Sequence, residues 1–330
     1  MKARAIVHRD VNLVELAEVE IPAPGPGELL VESKFTCISP GTELRCLGGL
    51  QGQFPFVPGY AMAGHVVIGG PGTQMEPGRA VQVGGTQYTG TIKSQWGGHM
   101  SHAIAHENSV IPIPQSVDLL DASISKIAAI GNHGVELCPP RDGENVVVVG
   151  LGVIGQFSAR LYAARGARVL GVDKSAHRVA ALRAAGVESA LIESSLTDTC
   201  AKRFPDGADI VVDATGVPAV LNESVLLARL PAWGGDVDPR LGPRFVIQGS
   251  YPGDFSLPYQ SVYQRELTLF LPRDRQARDV RKVLELMAEK KIQSRDLISE
   301  VRPPHRAHET YAELRDPATR LMTVAFDWSL

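Results

Sequence analysis

The chain has 330 residues and a formal net charge of −3, with 44% hydrophobic and 21% charged residues, which are ordinary values for a soluble globular protein. This charge balance does not indicate nucleic-acid binding, and no run of like charges indicates attachment to a membrane surface. No segment approaches the roughly 18 consecutive apolar residues of a membrane span, and the N-terminal apolar run is too short for a signal peptide. We therefore expect a cytoplasmic protein without nucleic acid or membrane as partner.

The four cysteines are scattered along the chain and contain no C-x-x-C pair. A disulfide framework is not typical of a chain of this size in the cytoplasm, and a four-cysteine zinc site needs closely spaced ligands. We therefore expect four reduced cysteines, which are Cys37, Cys46, Cys138 and Cys200.

Up to about residue 115, short apolar runs alternate with turns rich in proline and glycine. Runs such as 29–32 and 80–83 predict strands, and the turn at 22–27 reads Pro-Ala-Pro-Gly-Pro-Gly. Many short strands separated by such turns are typical of a small barrel-like β domain. We therefore expect a β domain in this part of the chain.

From about residue 118 onwards, strand-like and helix-like patterns alternate. Residues 145–149 form a continuous apolar run, as expected of a strand that is buried on both faces, and a helix is predicted at 153–165. This alternation predicts parallel βαβ units. The other predicted elements are strands at 167–172, 209–212, 244–247, 267–271 and 322–326, and helices at 176–185, 278–290 and from about 307.

A glycine pattern directly follows the strand at 145–149 and opens the next helix. Gly150, Gly152 and Gly155, with Val153 and Ile154 before the last of them, match the dinucleotide-binding fingerprint in the context that it requires. The first glycine permits a tight turn, the second lets the backbone approach a pyrophosphate, and the third lets helix and strand pack closely. The N–H groups of the helix N-terminus would then face the anion. The alternative is a glycine turn that serves packing alone.

An acidic residue at the end of the next strand indicates which dinucleotide binds. Asp173 follows the strand at 167–172, where a carboxylate accepts both ribose hydroxyls and repels a 2′-phosphate. We therefore predict NAD as the cofactor. Lys174 and Arg178 are predicted to lie at the same site, and they are cations that would tolerate the phosphate of NADP.

Two further strand ends add candidate cofactor contacts. Thr215 and Gly216 follow the strand at 209–212, and Gln248 follows the strand at 244–247. Ligands of open α/β sheets bind outside the carboxyl ends of the strands. We expect Thr215 or Gly216 near the nicotinamide half of the cofactor, and Gln248 as a further cofactor-binding residue. The alternative for the turn at Thr215 is a plain strand-to-helix connection.

Four motifs in a defined order relate the chain to a known family. They are Pro40-Gly41-Thr42-Glu43, Val57-Pro58-Gly59-Tyr60, Gly97-Gly98-His99 and the glycine turn. Over nearly its whole length the chain resembles the medium-chain dehydrogenase/reductases (zinc-type alcohol dehydrogenase-like proteins), and in particular a zinc-lacking branch that includes bacteriochlorophyllide a dehydrogenase-like oxidoreductases.

The resemblance implies an α/β protein with a GroES-like β-barrel catalytic domain and a Rossmann domain, which is a doubly wound parallel sheet. It implies residues 1–126 and 273–330 for the catalytic domain and 127–272 for the NAD-binding domain. It also implies a substrate cleft between the two domains and a homodimer.

The chain departs from the family at the positions of the zinc ligands. Pro40 stands where zinc-dependent members carry a cysteine, Tyr60 where they carry a histidine, and Lys126 close to the third ligand. Neither proline nor a protonated lysine coordinates zinc, and tyrosine is an uncommon ligand. The cysteine cluster of the family's structural zinc is also absent between residues 84 and 100. We therefore expect no metal.

Without zinc, a positioned acid/base must remove or return the hydroxyl proton during hydride transfer. Tyr60 and Lys126 would stand where two zinc ligands normally converge, and a lysine cation within about 4–6 Å stabilises a phenolate. We predict that this pair acts as a base in oxidation and as an acid in reduction. Thr42, which matches the family's proton-relay hydroxyl, and His133, as a relay or a contact of the nicotinamide, complete the predicted catalytic set.

Each catalytic candidate has a purely structural alternative. Tyr60 would then pack with its hydroxyl bonded to backbone, Lys126 would be a solvated surface lysine, and His133 a structural histidine. Glu43 matches an acidic position that supports the site rather than reacting. Further candidates for lining the substrate cleft are Gln95, Trp96 and His99.

The sequence thus favours a zinc-independent, NAD(H)-dependent dehydrogenase/reductase that interconverts a secondary alcohol and its ketone, with a sugar, a cyclitol or a specialised metabolite as substrate. One alternative is an NADPH-type quinone or enoyl reductase of the same superfamily, which the glycine turn and Asp173 disfavour. The other alternative is a non-catalytic dinucleotide-binding sensor, because loss of the zinc ligands is also what loss of activity would leave behind.

Overall fold

The chain forms two compact units. The computed structural model describes residues 1–231, 238–251 and 253–330. One unit comprises Met1–Ile127 and Val280–Leu330, and the other comprises Ala128–Asp279. The second boundary lies further along the chain than the expected 272/273, because the Asp279 carboxylate is hydrogen-bonded to Asn132 and His133 of the second unit.

Both units combine strands with helices, which are numbered in chain order. The strands are β1 (Lys2–Asp10), β2 (Leu13–Glu20), β3 (Glu28–Cys37), β4 (Phe56–Val57), β5 (Met62–Gly69), β6 (Ala80–Val83), β7 (Lys93–Ser94), β8 (His102–His106), β9 (Ile111–Pro112), β10 (Asn145–Val149), β11 (Arg168–Asp173), β12 (Glu188–Leu191), β13 (Ile210–Asp213), β14 (Arg244–Ile247), β15 (Thr268–Phe270), β16 (Ile298–Arg302) and β17 (Thr323–Asp327). The α-helices are α1 (Pro40–Leu47), α2 (Leu119–Ser123), α3 (Ser125–Leu137), α4 (Val153–Ala163), α5 (Ala176–Ala184), α6 (Leu196–Ala201), α7 (Pro218–Ser224), α8 (Tyr259–Gln264), α9 (Ala277–Ala288) and α10 (Ala307–Arg315).

The second unit is built on a parallel sheet with the strand order β12-β11-β10-β13-β14-β15. Numbered within the unit, this order is 3-2-1-4-5-6, which is the doubly wound arrangement that the sequence predicts. The central strand β10 is an apolar run because both of its faces are covered, and its four valines are buried. The strand order reverses between β10 and β13, so the residues that follow these two strands flank the crevice where ligands of such sheets bind.

The first unit is rich in short strands, as expected from its proline- and glycine-rich turns. Strand β3 is its centre, since it pairs with β5, β8 and β17 in antiparallel register. A second sheet has the order β2-β1-β4-β7. Between β1, β17 and α10 lies an apolar core that includes Ile6, Tyr311 and Phe326.

Two helices near the catalytic candidates were not predicted. Helix α1 is short and starts at a Pro-Gly pair, and α3 contains Gly131 and Gly134, which are unfavourable in helix interiors. The structure explains both α3 glycines by close packing. A Cβ atom on Gly131 would lie 3.3 Å from the backbone nitrogen of Ser158, and one on Gly134 would lie 2.0 Å from Oε1 of Gln248.

None of the helices in the described ranges combines the length and the apolar composition that crossing a bilayer requires.

Candidate active site and dinucleotide site

The glycine turn lies at the carboxyl end of β10 and leads into α4, as predicted. Gly150 has a φ of 87°, in the region that favours glycine, and a Cβ atom on Gly155 would lie 1.8 Å from the carbonyl oxygen of Gly150. A Cβ atom on Gly152, by contrast, would meet no atom within 4 Å. No side chain caps α4, which begins at Val153, so the N–H groups of its first turn, including that of Ile154, are available to an anion. The turn therefore fits a pyrophosphate.

Asp173 is buried at the end of β11 and is tied to the glycine turn. Its Oδ2 accepts a hydrogen bond of 2.7 Å from the backbone N–H of Leu151, and its Oδ1 accepts one of 2.8 Å from that of Ser175. Each carboxylate oxygen has a further lone pair that a ribose hydroxyl can use. Arg178 lies 3.7 Å from Oδ2, whereas Lys174 is exposed. The arrangement fits a ribose. It also includes the guanidinium of Arg178, a cation that can pair with the 2′-phosphate of NADP.

The second strand-end turn is ordered by Asp213, a buried residue that was not among the predicted candidates. The hydroxyl of Thr215 donates to Asp213 Oδ1 at 2.7 Å, and Tyr251 donates a hydrogen bond to Oδ2. Burial raises the pKa of the Asp213 carboxyl, although these hydroxyls oppose the shift. Gly216 packs closely, because a Cβ atom there would lie 2.6 Å from a backbone oxygen.

The Gln248 side chain is directed at the part of helix α3 that belongs to the second unit. Its amide Nε2 donates a 3.2 Å hydrogen bond to the carbonyl oxygen of Ile130. On the same helix, Nδ1 of His133 shares a 3.1 Å hydrogen bond with Oδ2 of Asp279. Both side chains therefore have partners within the second unit, and their roles toward a cofactor stay predictions.

In the first unit, the structure brings three of the four catalytic candidates together. The hydroxyl of Tyr60 is 3.5 Å from Oγ1 of Thr42, and Nζ of Lys126 is 5.5 Å from the centre of the Tyr60 ring. Lys126 also donates a 3.3 Å hydrogen bond to the carbonyl oxygen of Gly84. Tyr60 and Lys126 are 7% and 6% exposed, so Lys126 is not a solvated surface lysine. The fourth candidate, His133, belongs to the other unit.

The hydroxyl of Tyr60 is also hydrogen-bonded to a residue that was not predicted to lie at the site. It donates to Oγ of Ser39 at 2.5 Å. Ser39 is the N-cap of α1, but its side chain makes no capping hydrogen bond with that helix. A serine followed by a proline is a typical start of a helix. This signal could have placed Ser39 at a helix end, but not next to Tyr60.

Trp96 packs edge-on against the ring of Tyr60, with a centroid distance of 5.3 Å and an interplanar angle of 76°. Its φ of 72° is unusual for a tryptophan. A Cβ atom on Gly85 would lie 1.9 Å from the carbonyl oxygen of Trp96, so the two backbone segments are in close contact. The backbone around Trp96 is therefore fixed, and the indole contributes to the environment of Tyr60.

Behind Ser39 lies a buried polar network centred on Glu43. Its Oε1 accepts from the backbone N–H of Ser39 at 2.7 Å, its Oε2 is 2.9 Å from Nε2 of His99, and the hydroxyl of Tyr311 also donates to Oε2. The other ring nitrogen of His99 is 2.8 Å from Oγ1 of Thr36. Burial alone raises the pKa of Glu43, but the charge and hydrogen bond of His99 and the other two donors lower it below the usual value.

The network corrects the expectation for His99. We expected this residue to line the substrate cleft, but its side chain is fully buried between Glu43 and Thr36. A Gly-Gly-His segment gives no local signal of this burial, because the partners come from α1 and β3. The supporting role expected for Glu43 agrees with its position.

The donor set at the positions equivalent to the family's ligands does not fit a catalytic zinc. Pro40 has no donor atom, a lysine ammonium has no lone pair, and the phenol of Tyr60 is one ligand where zinc needs three or four. Burial raises the pKa of Cys37 to about 12 and that of Cys46 to about 11, which keeps both thiols protonated. Within the described residues, no group of three or more His, Cys, Asp or Glu side chains is arranged to hold a metal ion.

Comparison with known proteins relates both units to one group of enzymes. The family model described as "Zinc-binding dehydrogenase" matches residues 153–232. L-galactonate-5-dehydrogenase of Escherichia coli is 29% identical over 88% of this chain and 89% of its own length. The 2-desacetyl-2-hydroxyethyl bacteriochlorophyllide A dehydrogenase of Cereibacter sphaeroides is 26% identical over 99% of both chains.

The fold agrees with that of a solved structure over almost its whole length. A crystal structure of an Escherichia coli oxidoreductase/dehydrogenase of unknown specificity superposes with a TM-score of 0.87, at 17% identity and 99% coverage of both chains. At this identity the likeness establishes the fold, which is a GroES-like β domain with a Rossmann domain. The family match over residues 153–232 and these relatives support a place in the medium-chain dehydrogenase/reductase superfamily.

Proposed function

We propose that the protein is a zinc-independent, NAD(H)-dependent dehydrogenase/reductase that interconverts a secondary alcohol and its ketone. The observation that carries this proposal is the environment of the Tyr60 hydroxyl. Tyr60 is buried, its hydroxyl is hydrogen-bonded to Ser39, and the Lys126 ammonium lies 5.5 Å from the centre of the Tyr60 ring. A phenol next to a lysine cation can release and recover a proton.

The second unit would hold the dinucleotide. Gly150, Gly152 and the first turn of α4 would contact the pyrophosphate, and Asp173 would accept the adenosine ribose hydroxyls. When bound, NAD supplies the acceptor or donor of the hydride. The repulsion between Asp173 and a 2′-phosphate favours NAD, while Arg178 at 3.7 Å from the carboxylate weakens this preference.

The first unit would handle the proton. In oxidation, the phenolate of Tyr60 accepts the proton of the substrate hydroxyl while the hydride leaves the adjacent carbon. In reduction, the phenol returns the proton to the carbonyl oxygen. Lys126 stabilises the phenolate through its charge, and Thr42, 3.5 Å from the Tyr60 hydroxyl, passes the proton onward. His133, paired with Asp279, is proposed as a relay on the nicotinamide side.

The proposed substrate class is a hydroxylated metabolite such as a sugar, a cyclitol or a specialised metabolite. The names of two relatives support this range, since one is a dehydrogenase of galactonate and the other of a hydroxyethyl bacteriochlorophyllide. Both compounds carry hydroxyl groups, and the two differ widely in the rest of the molecule.

The test is a turnover assay of the purified full-length chain with NAD⁺ and NADP⁺ against a panel of polyols, sugar acids and secondary alcohols, before and after treatment with a zinc chelator. We expect NAD-linked oxidation that the chelator leaves unchanged. Activity restored only by zinc would contradict zinc independence. A strong preference for NADPH with quinones or enones would support the reductase alternative, and no turnover with any compound would support the sensor.

We also propose a cytoplasmic homodimer, as the resemblance implies. Strand β15 is the last strand in the order of the six-stranded sheet, so its outer edge has backbone groups that a second copy can pair with. Light scattering of the purified chain should give twice the monomer mass of 35.4 kDa. A single monomeric species at micromolar concentration would contradict the dimer.

A further inference from the structure

The hydroxyl of Ser39 does not make the hydrogen bond that is usual for a serine at a helix N-cap. A serine at an N-cap normally accepts a hydrogen bond from an N–H group of the first helical turn. In α1 this capping bond is missing, and Ser39 Oγ instead accepts the Tyr60 hydroxyl at 2.5 Å. Ser39 is 5% exposed, so water has little access to this contact. The geometry thus favours contact with Tyr60 over capping of the helix.

The backbone of Ser39 is held in place from behind. Its N–H donates to Oε1 of Glu43 at 2.7 Å, and Glu43 is itself fixed by His99 and Tyr311. A carboxylate that bonds to the N-cap N–H orients that residue as one half of a capping box does. The side chain of Ser39 therefore points at Tyr60 from a rigid support.

We propose that Ser39 is a positioning residue that holds the Tyr60 hydroxyl and stabilises its phenolate form. A serine hydroxyl has one proton and two acceptor lone pairs, and it can rotate. When Tyr60 is a phenol, Ser39 accepts its proton in a hydrogen bond, as in the structure. When Tyr60 has given its proton to the substrate, Ser39 turns its own O–H toward the phenolate and donates. No covalent bond of Ser39 is made or broken, and the proton that is transferred to the substrate is that of Tyr60.

Ser39 and Lys126 would then stabilise the anion from different elements. Lys126 reaches the Tyr60 ring from α3 and contributes charge, whereas Ser39 contributes a directed hydrogen bond to the oxygen. Thr42 is a second hydroxyl but lies further away, at 3.5 Å. Glu43 is the carboxylate on this side, and its oxygens are occupied by Ser39, His99 and Tyr311. Ser39 is hydrogen-bonded to Tyr60 in both states, but its bond to the phenolate is charge-assisted and therefore stronger than its bond to the phenol, so the pair favours the anion.

The inference rests on the proposed function, but its test does not need turnover. Tyrosinate absorbs in the ultraviolet, so the ionisation of Tyr60 can be followed as the difference between the wild-type enzyme and Tyr60→Phe over a pH titration. We expect Ser39→Ala to move this transition upward by about one pH unit, a tenfold change in the phenol–phenolate equilibrium. Ser39→Thr keeps a hydroxyl and should titrate like the wild type.

Two different substitutions of Ser39 distinguish the loss of its hydroxyl from a loss of folding. The Ser39 side chain does not cap α1, so Ser39→Ala loses only its hydrogen bond with Tyr60 and should still unfold in one cooperative transition. Ser39→Gly is a second variant without a hydroxyl, and glycine is well tolerated at a helix N-cap. If Ser39→Ala and Ser39→Gly titrate Tyr60 like the wild type, or if the wild type shows no Tyr60 transition below alkaline unfolding, the inference is overturned.

Failure of the proposed function would look different. If Tyr60→Phe keeps wild-type turnover, Tyr60 is not the acid/base, whatever the absorbance titration shows. If Tyr60→Phe is inactive but substitution of Ser39 leaves the titration unchanged, the result supports the proposed function and contradicts the proposed role of Ser39.

Discussion

Glu43 accepts a 2.7 Å hydrogen bond from the backbone N–H of Ser39, so a fully buried carboxylate is attached to the residue that holds the Tyr60 hydroxyl. The same carboxylate bonds to His99 and Tyr311, which come from distant parts of the chain. One ionic group therefore connects the core of the first unit with the proposed acid/base.

Removal of the charge of Glu43 should destabilise the protein. Glu43→Gln leaves His99 without its carboxylate in a dry core, and breaking a buried pair of this kind costs about 3 kcal/mol of unfolding free energy. Urea denaturation monitored by fluorescence would measure it. The matched control is Glu18→Gln, whose partner Lys2 is 68% exposed, and it should cost less than about 1 kcal/mol. Equal effects of the two substitutions would show that the Glu43–His99 pair contributes no special stability.

The stability of the protein should fall in mild acid because of His8. This side chain is fully buried, neither ring nitrogen has a hydrogen-bond partner among the described residues, and burial lowers its pKa to about 4. The unfolded chain binds the proton near pH 6.5. The contribution of neutral His8 to stability is therefore complete above pH 6.5 and declines as the pH falls toward 4.

The size of the effect of His8 can be measured by urea unfolding at pH 7 and pH 5. About 2 kcal/mol of the unfolding free energy should be lost through His8 over this range. His8→Phe, which suits the neighbouring rings of Phe56 and Tyr311, should lack this part of the pH dependence. Replacement of the exposed His65 by Gln should leave the dependence unchanged. A pH profile of His8→Phe that matches the wild type would refute this origin.

Alanine substitutions at two glycines of the turn should have different effects on cofactor binding and on stability. A Cβ atom on Gly152 would lie more than 4 Å from every other atom of the described residues, so Gly152→Ala should keep the wild-type melting temperature but weaken dinucleotide binding at least about tenfold, because the methyl occupies the approach of the pyrophosphate. Gly155→Ala should lower the melting temperature too, since its methyl would lie 1.8 Å from a backbone oxygen. Calorimetric titration with NADH and thermal unfolding would separate the effects, with Gly253→Ala as a neutral control. Wild-type affinity of Gly152→Ala would count against the site.

The cofactor preference should depend on the balance between Asp173 and Arg178. Asp173→Asn can keep the hydrogen bond from Leu151 while it loses the charge, so the affinity for NADPH relative to NADH should rise about tenfold or more. Arg178→Gln should shift the preference in the opposite direction, because it removes the cation 3.7 Å from the carboxylate. If neither substitution changes the ratio of the two dissociation constants, the ribose is not bound here.

The dinucleotide unit could be predicted from the sequence because its signals are local. A run of four valines at 146–149 followed by three spaced glycines specifies strand, turn and helix within a few residues. The observed strands β10, β11, β13 and β14 lie within one residue of the predicted positions at each end. Tertiary packing here supports the local preferences.

The surroundings of Tyr60 could not be predicted, because they depend on contacts between distant segments. Tyr311 reaches Glu43 across 268 residues of the chain, and His99 reaches it across 56. The family pattern could place Tyr60, Lys126 and Thr42 as candidates, but it says nothing about Ser39, whose side chain the local helix signal assigns to capping. Packing of Gly131 and Gly134 likewise overrides their low helix propensity in α3.

The central claim is that the Tyr60 hydroxyl transfers the proton, and Tyr60→Phe tests it most directly. In single-turnover oxidation of the best alcohol substrate with NAD⁺, loss of this one oxygen should slow the chemical step by about a hundredfold or more, while the dissociation constant of NADH stays the same. The control is Tyr88→Phe, which removes a partly exposed phenolic hydroxyl bonded to Glu28 in the same unit, and it should react at the wild-type rate. A Tyr60→Phe enzyme that reacts at the wild-type rate would contradict the account.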